Sequence, residues 1–277
     1  MKSTYKILVL LLVFMSWGSL FAEGQRDSPK SQEFNVSDFH SIKNSISADL
    51  EIYLGEQQRI EAFGKRSAIK RLKIYVQNGE LIIRRKWSLL PMPLRDIKIR
   101  IAMEGYDILS LGLSSSGNAE IIGQIKAEKT EFKTSSSGSI TAGGDVEYLS
   151  ASISSSGNID FTGVNRELDL RISSSGDMRI STQAIKIKAV SSSSGNLMIE
   201  GAAIEAEIKL SSNGDFLGKD FIVEEADVIL SSSGNAELSI LKELNAKLSS
   251  SGNLLYRGSP HLGSISTTSS GKILNQN

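Results

Sequence analysis

The sequence predicts an all-β fold, a single parallel β-helix with rungs of about 19 residues. Three observations predict it: a Ser-Ser-Ser-Gly-like corner that recurs nine times, apolar residues that alternate around each corner, and no 3.6-residue helical period. The corner glycines, 18 to 21 residues apart, are Gly117, Gly138, Gly157, Gly176, Gly195, Gly214, Gly234, Gly252 and Gly271. Rungs stacked about 4.8 Å apart would bury one continuous core.

The parity of side chains around each corner predicts which residues face the core. Residues two positions after and six positions before the glycine are apolar in all nine repeats. Since successive side chains along a strand alternate between faces, the glycine and the second serine also point inward. We expect the corner to be a bend within one strand, and a second glycine six residues later, as at Gly144, to be a turn.

The first and third serines and the residue after the glycine point outward. That last residue is Asn or Asp in seven repeats, and these are the candidate binding residues: Asn118, Asn158, Asp177, Asn196, Asp215, Asn235 and Asn253. Stacked copies would form a flat polar face suited to a glycan, a cell-wall polymer or a host or cell-surface protein. The alternative is that each side chain pairs with its copies above and below, as in Asn ladders, and binds nothing.

Residues 34–110 lack the corner, and we interpret them as an N-terminal β cap with irregular first rungs, followed by a repetitive β-helix at 111–277. Apolar alternation over 46–54 and 72–76 predicts strands. Asn78-Gly79 predicts a hairpin turn into the next strand. This β-hairpin is expected to cap the N-terminal edge, because an open edge invites pairing with another chain.

Basic residues are concentrated on and around this hairpin. They are Lys65, Arg66, Lys70, Arg71, Lys73, Arg84, Arg85 and Lys86. We interpret them as a charged edge that blocks strand pairing, with binding of anionic glycans or lipopolysaccharide as the alternative. Trp87 is expected to pack as a core residue of the cap, with sugar stacking as its alternative role.

The first residues predict export. Residues 1–22 have the basic start, apolar run and small final residue of a signal peptide, with an uncleaved anchor as the alternative, and 23–33 resemble a flexible linker. No later stretch is apolar enough to span a bilayer. We therefore expect a protein of the periplasm, the outer surface or the extracellular space. The 31 basic and 31 acidic residues balance, so no global field favours nucleic acid as a partner.

Nothing in the sequence indicates an active site, a cofactor or a metal site. The chain has no cysteine and only two histidines, His40 and His261, which are far apart in sequence. A serine nucleophile needs a histidine or other base beside it. Outward acids such as Asp177 are separated by Asn, so no carboxylate pair of a glycosidase emerges. We expect a non-catalytic exported or envelope protein that binds, if at all, through the flat Ser/Asn face; a polysaccharide-active enzyme and a purely structural envelope protein are the alternatives.

The chain resembles the head GIN domain family, described as auto-transporter adhesins of bacteria, over about residues 34–273. The resemblance rests on Phe39-His40-Ser41-Ile42, Ala48-Asp49-Leu50-Glu51-Ile52, Val76-Gln77-Asn78-Gly79-Glu80-Leu81-Ile82-Ile83 and the repeated Ser-Gly-Asn/Asp corners. It implies a right-handed parallel β-helix in an exported, adhesin-like protein and brings no catalytic residues. An auto-transporter carries a C-terminal translocator barrel. Since the last corner is at Gly271 and the sequence stops at Asn277, we expect a free solenoid that resembles only the passenger.

Overall fold

A computed structural model describes residues 29–89, 94–249, 251–268 and 270–277. Strand accounts for 65% of the structure and helix for 2%, which confirms the all-β prediction. The only helix in the described ranges, α1, is Arg66–Ile69. The strands are β1 (Pro29–Glu33), β2 (Ser41–Asn44), β3 (Asp49–Leu54), β4 (Arg59–Lys65), β5 (Leu72–Gln77), β6 (Glu80–Arg85), β7 (Lys98–Met103), β8 (Ser110–Leu113), β9 (Ala119–Ile122), β10 (Ile125–Thr134), β11 (Ser139–Ile153), β12 (Asn158–Ile172), β13 (Asp177–Ser191), β14 (Leu197–Leu210), β15 (Phe216–Leu230), β16 (Ala236–Leu248), β17 (Leu254–Arg257), β18 (His261–Thr267) and β19 (Ile273–Asn275).

The repeats stack in parallel and in register, which confirms a parallel β-helix of about nine turns with rungs of about 19 residues. Ile140 on β11 pairs with Ile159 on β12, and Ile159 pairs with Met178 on β13. The same row continues through Leu197 and Phe216. Equivalent positions of the repeat therefore lie directly above one another, and every outward position becomes a row along the helix axis.

The strand is interrupted at the serine corner and continues through the second glycine, the reverse of the predicted arrangement. β11 runs unbroken from Ser139 to Ile153 through Gly144, and the next corner separates it from β12. Gly144 accommodates the bend with a φ of 148° while its neighbours keep the ladder of hydrogen bonds. The strand bends at the second glycine and is interrupted at the serine corner, because a glycine with positive φ can turn the chain without losing strand pairing.

The corner glycines are required by close approach and not by an unusual φ, since none of them has a positive φ. A Cβ placed on Gly176 would lie 2.0 Å from the carbonyl oxygen of Gly157 in the rung beneath. A Cβ on Gly195 would likewise lie 2.1 Å from the oxygen of Gly176. From Gly117 to Gly252, each corner therefore rests on the backbone of the corner beneath it, and only glycine leaves room for that contact.

The core is the predicted inward set. The apolar residues two positions after and six positions before each corner glycine are buried, except Ile265 and Ile273 in the last described rung. The second serines that the structure describes are only half-buried. The 20-residue spacing between Gly214 and Gly234 is absorbed in β15, where the register shifts beyond Leu217. The irregular spacing in the sequence is therefore a local bulge that leaves the later rows aligned.

The first rungs do not stack in chain order. Leu50 on β3 pairs with Ile99 on β7 and with Ala119 on β9, so residues 41–54 lie between the rung of β6 and β7 and the rung of β8 and β9. Residues 34–110 lack the glycine corner in sequence, but one position of this segment corresponds to it in the stack. Ala48 occupies the position of a corner glycine under Gly117. The repeat pattern misses it because Ala48 stands where the repeats have glycine.

Antiparallel strands attach to this end of the stack. β5 and β6 form the predicted hairpin, with Asn78 and Gly79 at φ values of 52° and 72°; its role as a cap stays a prediction. β4 pairs with β7, and β1 pairs with β4. Residues 29–33 are therefore a strand and not part of a linker, because β4 offers them a free edge. The predicted signal peptide and residues 23–28 lie outside the described residues. No helix within the described ranges is long and apolar enough to cross a membrane.

Candidate binding surfaces

The seven Asn and Asp residues predicted to bind lie in one row on the corner face, in which Ser139 stands between Asn118 and Asn158. Their parallel register places Asn158 beside Asp177, and the row continues along the axis. All except the exposed Asn118 are half-buried. The structure thus brings the predicted site residues together, and their hydrogen bonds determine which side-chain atoms remain available to a ligand.

The oxygens of this row accept backbone N–H groups from the next rung. Oδ1 of Asp177 accepts the backbone N–H of Asn196 at 2.9 Å and its side-chain Nδ2–H at 3.1 Å. Oδ1 of Asp215 accepts the same two groups of Asn235 at 2.7 and 3.1 Å. Oδ1 of Asn235 likewise accepts both groups of Asn253, each at 3.1 Å. Oδ1 of Asn118, Asn158, Asn196 and Asn253 each accepts a single backbone N–H from the next rung, and Asp49 begins the row by accepting the N–H of Asn118.

The order of Asn and Asp suits this ladder. Asp177 stands between Asn158 and Asn196, so no two carboxylates are adjacent and each can accept two N–H groups. The bonds satisfy corner N–H groups that the strand ladder leaves free, and buried or half-buried donors without partners are costly. The side chains at these positions therefore stabilise the stack, and one oxygen of each is already engaged.

The outward serines of the same face differ from one another. In five of the corners the first serine donates a long hydrogen bond to the rung beneath, as from Ser173 Oγ to the carbonyl of Ile153 at 3.4 Å. The third serines Ser156, Ser175 and Ser194 are exposed, and within the described residues their hydroxyls make no hydrogen bond. Parity predicted that both serines point outward, but only the packed rungs distinguish the engaged hydroxyls from the available ones.

An aliphatic strip lies on another side of the solenoid, beyond the second bend. It consists of Val164, Ile185, Ile204, Ile222 and Leu241, which are 45 to 57% exposed. Together with the smaller residues Ala184, Ala202 and Ala203 they line a shallow open groove of about 1170 Å³. Sequence reasoning missed this strip because its members occupy two outward rows at unequal distances from the corner, and only the register of the strands aligns them.

Charged side chains on the solenoid pair between and along rungs. Glu51 on β3 accepts a hydrogen bond from Lys98 on β7 at 2.7 Å, and this bond, together with the nearby Arg100, lowers the pKa of the Glu51 carboxyl. In the repeats, Lys209 chiefly, and Lys188 in the rung beneath, lower the pKa of Glu207 against the opposing effect of burial. These pairs link strands and leave their carboxylates ionised at neutral pH.

The two histidines lie in different parts of the fold. His40 Nδ1 is 3.4 Å from Asp107, and His261 is on β18 at the other end of the stack. In the described parts of the chain no group of three or more His, Asp or Glu side chains could hold a metal ion. That the protein is not an enzyme and carries no cofactor stays a prediction.

The basic cluster of the sequence does come together at the N-terminal end, but Trp87 does not pack in the core. Its side chain is 84% exposed and that of Leu89 is 83% exposed. Trp87 is exposed because β6 ends at Arg85, and the chain beyond it no longer follows the inward and outward alternation of a strand. Sugar stacking, the alternative role of Trp87, would therefore involve an exposed surface side chain.

Comparison with known proteins points to one family. The family model described as "Putative auto-transporter adhesin, head GIN domain" matches residues 38–181 and 164–260. Two solved structures are a "putative adhesin" from Parabacteroides merdae, with 15% identity and a TM-score of 0.71, and a "putative lipid binding protein" from Parabacteroides distasonis, with 20% identity and a TM-score of 0.67. Each covers 91% of this chain and 98% of its own. A "putative adhesin" from P. distasonis has 18% identity and a TM-score of 0.69 and covers 90% and 98%. No curated protein matches the chain.

Proposed function

Since the chain belongs to the "Putative auto-transporter adhesin, head GIN domain" family, we propose that it is an exported, non-catalytic, adhesin-like protein that binds its partner through the corner face of the solenoid. The partner class is a glycan, a cell-wall polymer or a cell-surface protein that presents regularly spaced polar groups. The protein would act in the periplasm, on the outer surface or outside the cell.

One observation carries the choice of face: the third serines form an exposed row of hydroxyls that make no hydrogen bond within the described structure. Neighbouring hydroxyls in the row are one rung apart, about 4.8 Å. Each hydroxyl can both donate and accept, as the hydroxyls of a polysaccharide do. The Asn and Asp row beside it, from Asn118 to Asn253, holds the corners in register and contributes its remaining polar atoms to the same surface.

The test is a glycan array that includes bacterial cell-wall polysaccharides, probed with the purified protein and two variants. Ser156→Ala/Ser175→Ala/Ser194→Ala removes three hydroxyls of the corner face without adding bulk. Ile185→Ser/Ile204→Ser/Leu241→Ser alters the aliphatic strip on the other side and is the matched control. We expect specific retention of the unmodified protein, at least about tenfold weaker retention of the serine variant, and unchanged retention of the control.

Each other outcome has a definite meaning. Loss of glycan retention in the aliphatic-strip variant alone would place the binding site on the aliphatic strip and would overturn the proposal. Cleavage of an arrayed sugar would favour the polysaccharide-active enzyme. No retention on glycans, intact bacteria or host cells would favour the purely structural envelope protein.

A further inference from the structure

The N-terminal end of the solenoid concentrates positive charge. Residues 65–89 contain eight Lys and Arg residues and one acidic residue, a net charge of +7 in a chain whose total charge is zero. Six of these cations are exposed and form no ion pair within the described residues: Lys65, Arg66, Lys70, Lys73, Arg84 and Lys86. Cations elsewhere on the solenoid commonly have acidic partners, as Lys98 has Glu51. We call these six residues, with Trp87 and Leu89, the basic-aromatic end.

The fold holds these cations close to one another. Lys73 and Arg84 are directly opposite across the β5–β6 hairpin, and both lie over the ring of Tyr75, at 4.9 and 5.3 Å from its centre. Lys86 is brought to α1 because its backbone N–H donates to Arg71 and its Nζ donates to the carbonyl of Lys70. Like charges opposite each other destabilise a strand pair, so folding stability alone does not account for this arrangement.

Two large apolar side chains project beside the cations. Trp87 and Leu89 immediately follow Arg84-Arg85-Lys86 and are the most exposed large apolar residues of the described chain. Exposed Trp and Leu next to Lys and Arg are the combination that binds the interface of an anionic bilayer: the cations attract the headgroups and the apolar side chains enter the interfacial region. An anionic glycan or polymer would use the charges but would gain little from an exposed leucine.

We propose that the basic-aromatic end docks the protein onto an anionic lipid surface. β5 pairs only with β6 and is an edge of the stack, so docking at this end leaves the corner face of the repeats uncovered. The membrane site and the proposed adhesive face are separate, and either can fail experimentally without the other.

The proposal is tested by vesicle sedimentation, which measures how much of the purified protein binds to lipid vesicles. The full chain is expressed, and the exported protein is purified. One set of vesicles is phosphatidylcholine and the other contains about one third phosphatidylglycerol. We expect at least about tenfold more binding to the anionic vesicles and loss of most of it when ionic strength is raised to about 0.5 M. In a Trp17→Phe background Trp87 is the sole tryptophan, and its emission should shift to the blue on binding.

Three variants separate the contributions. Lys73→Gln/Arg84→Gln/Lys86→Gln should abolish binding, and Trp87→Ser/Leu89→Ser should weaken it and shift no fluorescence. Lys129→Gln/Lys219→Gln/Lys247→Gln removes the same charge from exposed lysines of the repeats and should bind as the unmodified protein does. Circular dichroism confirms that each variant is folded. Equal binding to both vesicle types, an equal effect of the control triple, or tight binding to heparin that is unaffected by Trp87→Ser would overturn the proposal.

Discussion

The repeat rungs and the N-terminal rungs contribute to the same row of core residues, but only the repeat rungs stack in the order in which they follow one another in the chain. From β11 to β16 each rung lies on the one that precedes it in sequence. At the N-terminal end, residues 41–54 are inserted between two later rungs, and Leu50 contacts Ile99 on one side and Ala119 on the other. One vertical row of inward side chains nevertheless runs through both regions.

This difference shows which constraints come from the rung and which come from its neighbour. Alternation of apolar residues is kept in both regions, because every rung must fill the core. The corner glycine is kept where it rests on the corner of the rung beneath, as Gly117 rests on the carbonyl of Ala48. The N-terminal corner itself has Ala48, which carries a Cβ. Asn44 supports this first corner by accepting the N–H of Ile46 and donating to the carbonyl of Ala48.

The largest expected effect breaks a corner within the repeats. Gly176→Ala should lower the free energy of unfolding by about 3 kcal/mol, because its Cβ meets the oxygen of Gly157 at 2.0 Å and the rungs must move apart. The control is Ala48→Gly, which should cost less than about 1 kcal/mol from backbone entropy alone. Urea unfolding followed by circular dichroism measures both. A fully stable Gly176→Ala would show that close approach does not require glycine.

An intermediate effect is expected in the ladder of Asn and Asp. Asp177→Ala leaves the N–H of Asn196 without its acceptor and should cost about 1–2 kcal/mol. Asp177→Asn keeps an acceptor oxygen and should cost less. The N-terminal counterpart Asp49→Ala should also cost less, because Asp49 accepts only the N–H of Asn118. Thermal unfolding ranks the three variants, and hydrogen exchange at Asn196 should quicken only in Asp177→Ala. Equal losses for Asp49→Ala and Asp177→Ala would contradict this comparison.

The smallest effect depends on pH. Glu51 links two rungs that are not consecutive in sequence, and its hydrogen bond with Lys98 holds its pKa below the usual 4.5. A lowered carboxyl pKa stabilises the fold fully above 4.5, and that stabilisation is lost as the pH falls through the folded-state value. Glu51→Gln should therefore reduce the free energy of unfolding at pH 7 by up to about 1 kcal/mol, with a smaller difference under acid conditions. Urea midpoints at neutral and acid pH check this, and a difference that grows in acid would refute it.

Periodicity predicted the repeats well because a solenoid makes the same local contacts in every rung. The spacing of the glycines and the parity of Ile140, Ile159 and their equivalents contain that information directly. The N-terminal rungs were harder, since the position of residues 41–54 depends on pairing with strands that come later in the chain. The sequence predicted which face carries the candidate site. It did not predict that Asp177 is engaged in hydrogen bonds while the hydroxyl of Ser175 is free within the described structure, because this depends on which N–H groups lie in the rung above.

The sequence by itself determined the all-β class, the length of the rung, the inward residues and the outward Asn, Asp and Ser rows, because these depend on alternation within one strand. Only the tertiary structure decided the stacking order of the first rungs, the place where each strand is interrupted, and the exposure of Trp87 and of the aliphatic strip. Those features depend on contacts between distant segments, whose energies a local pattern does not contain. The corner repeat depends on both: its inward and outward positions follow from the local sequence, and its contacts with the neighbouring rungs follow from the tertiary structure.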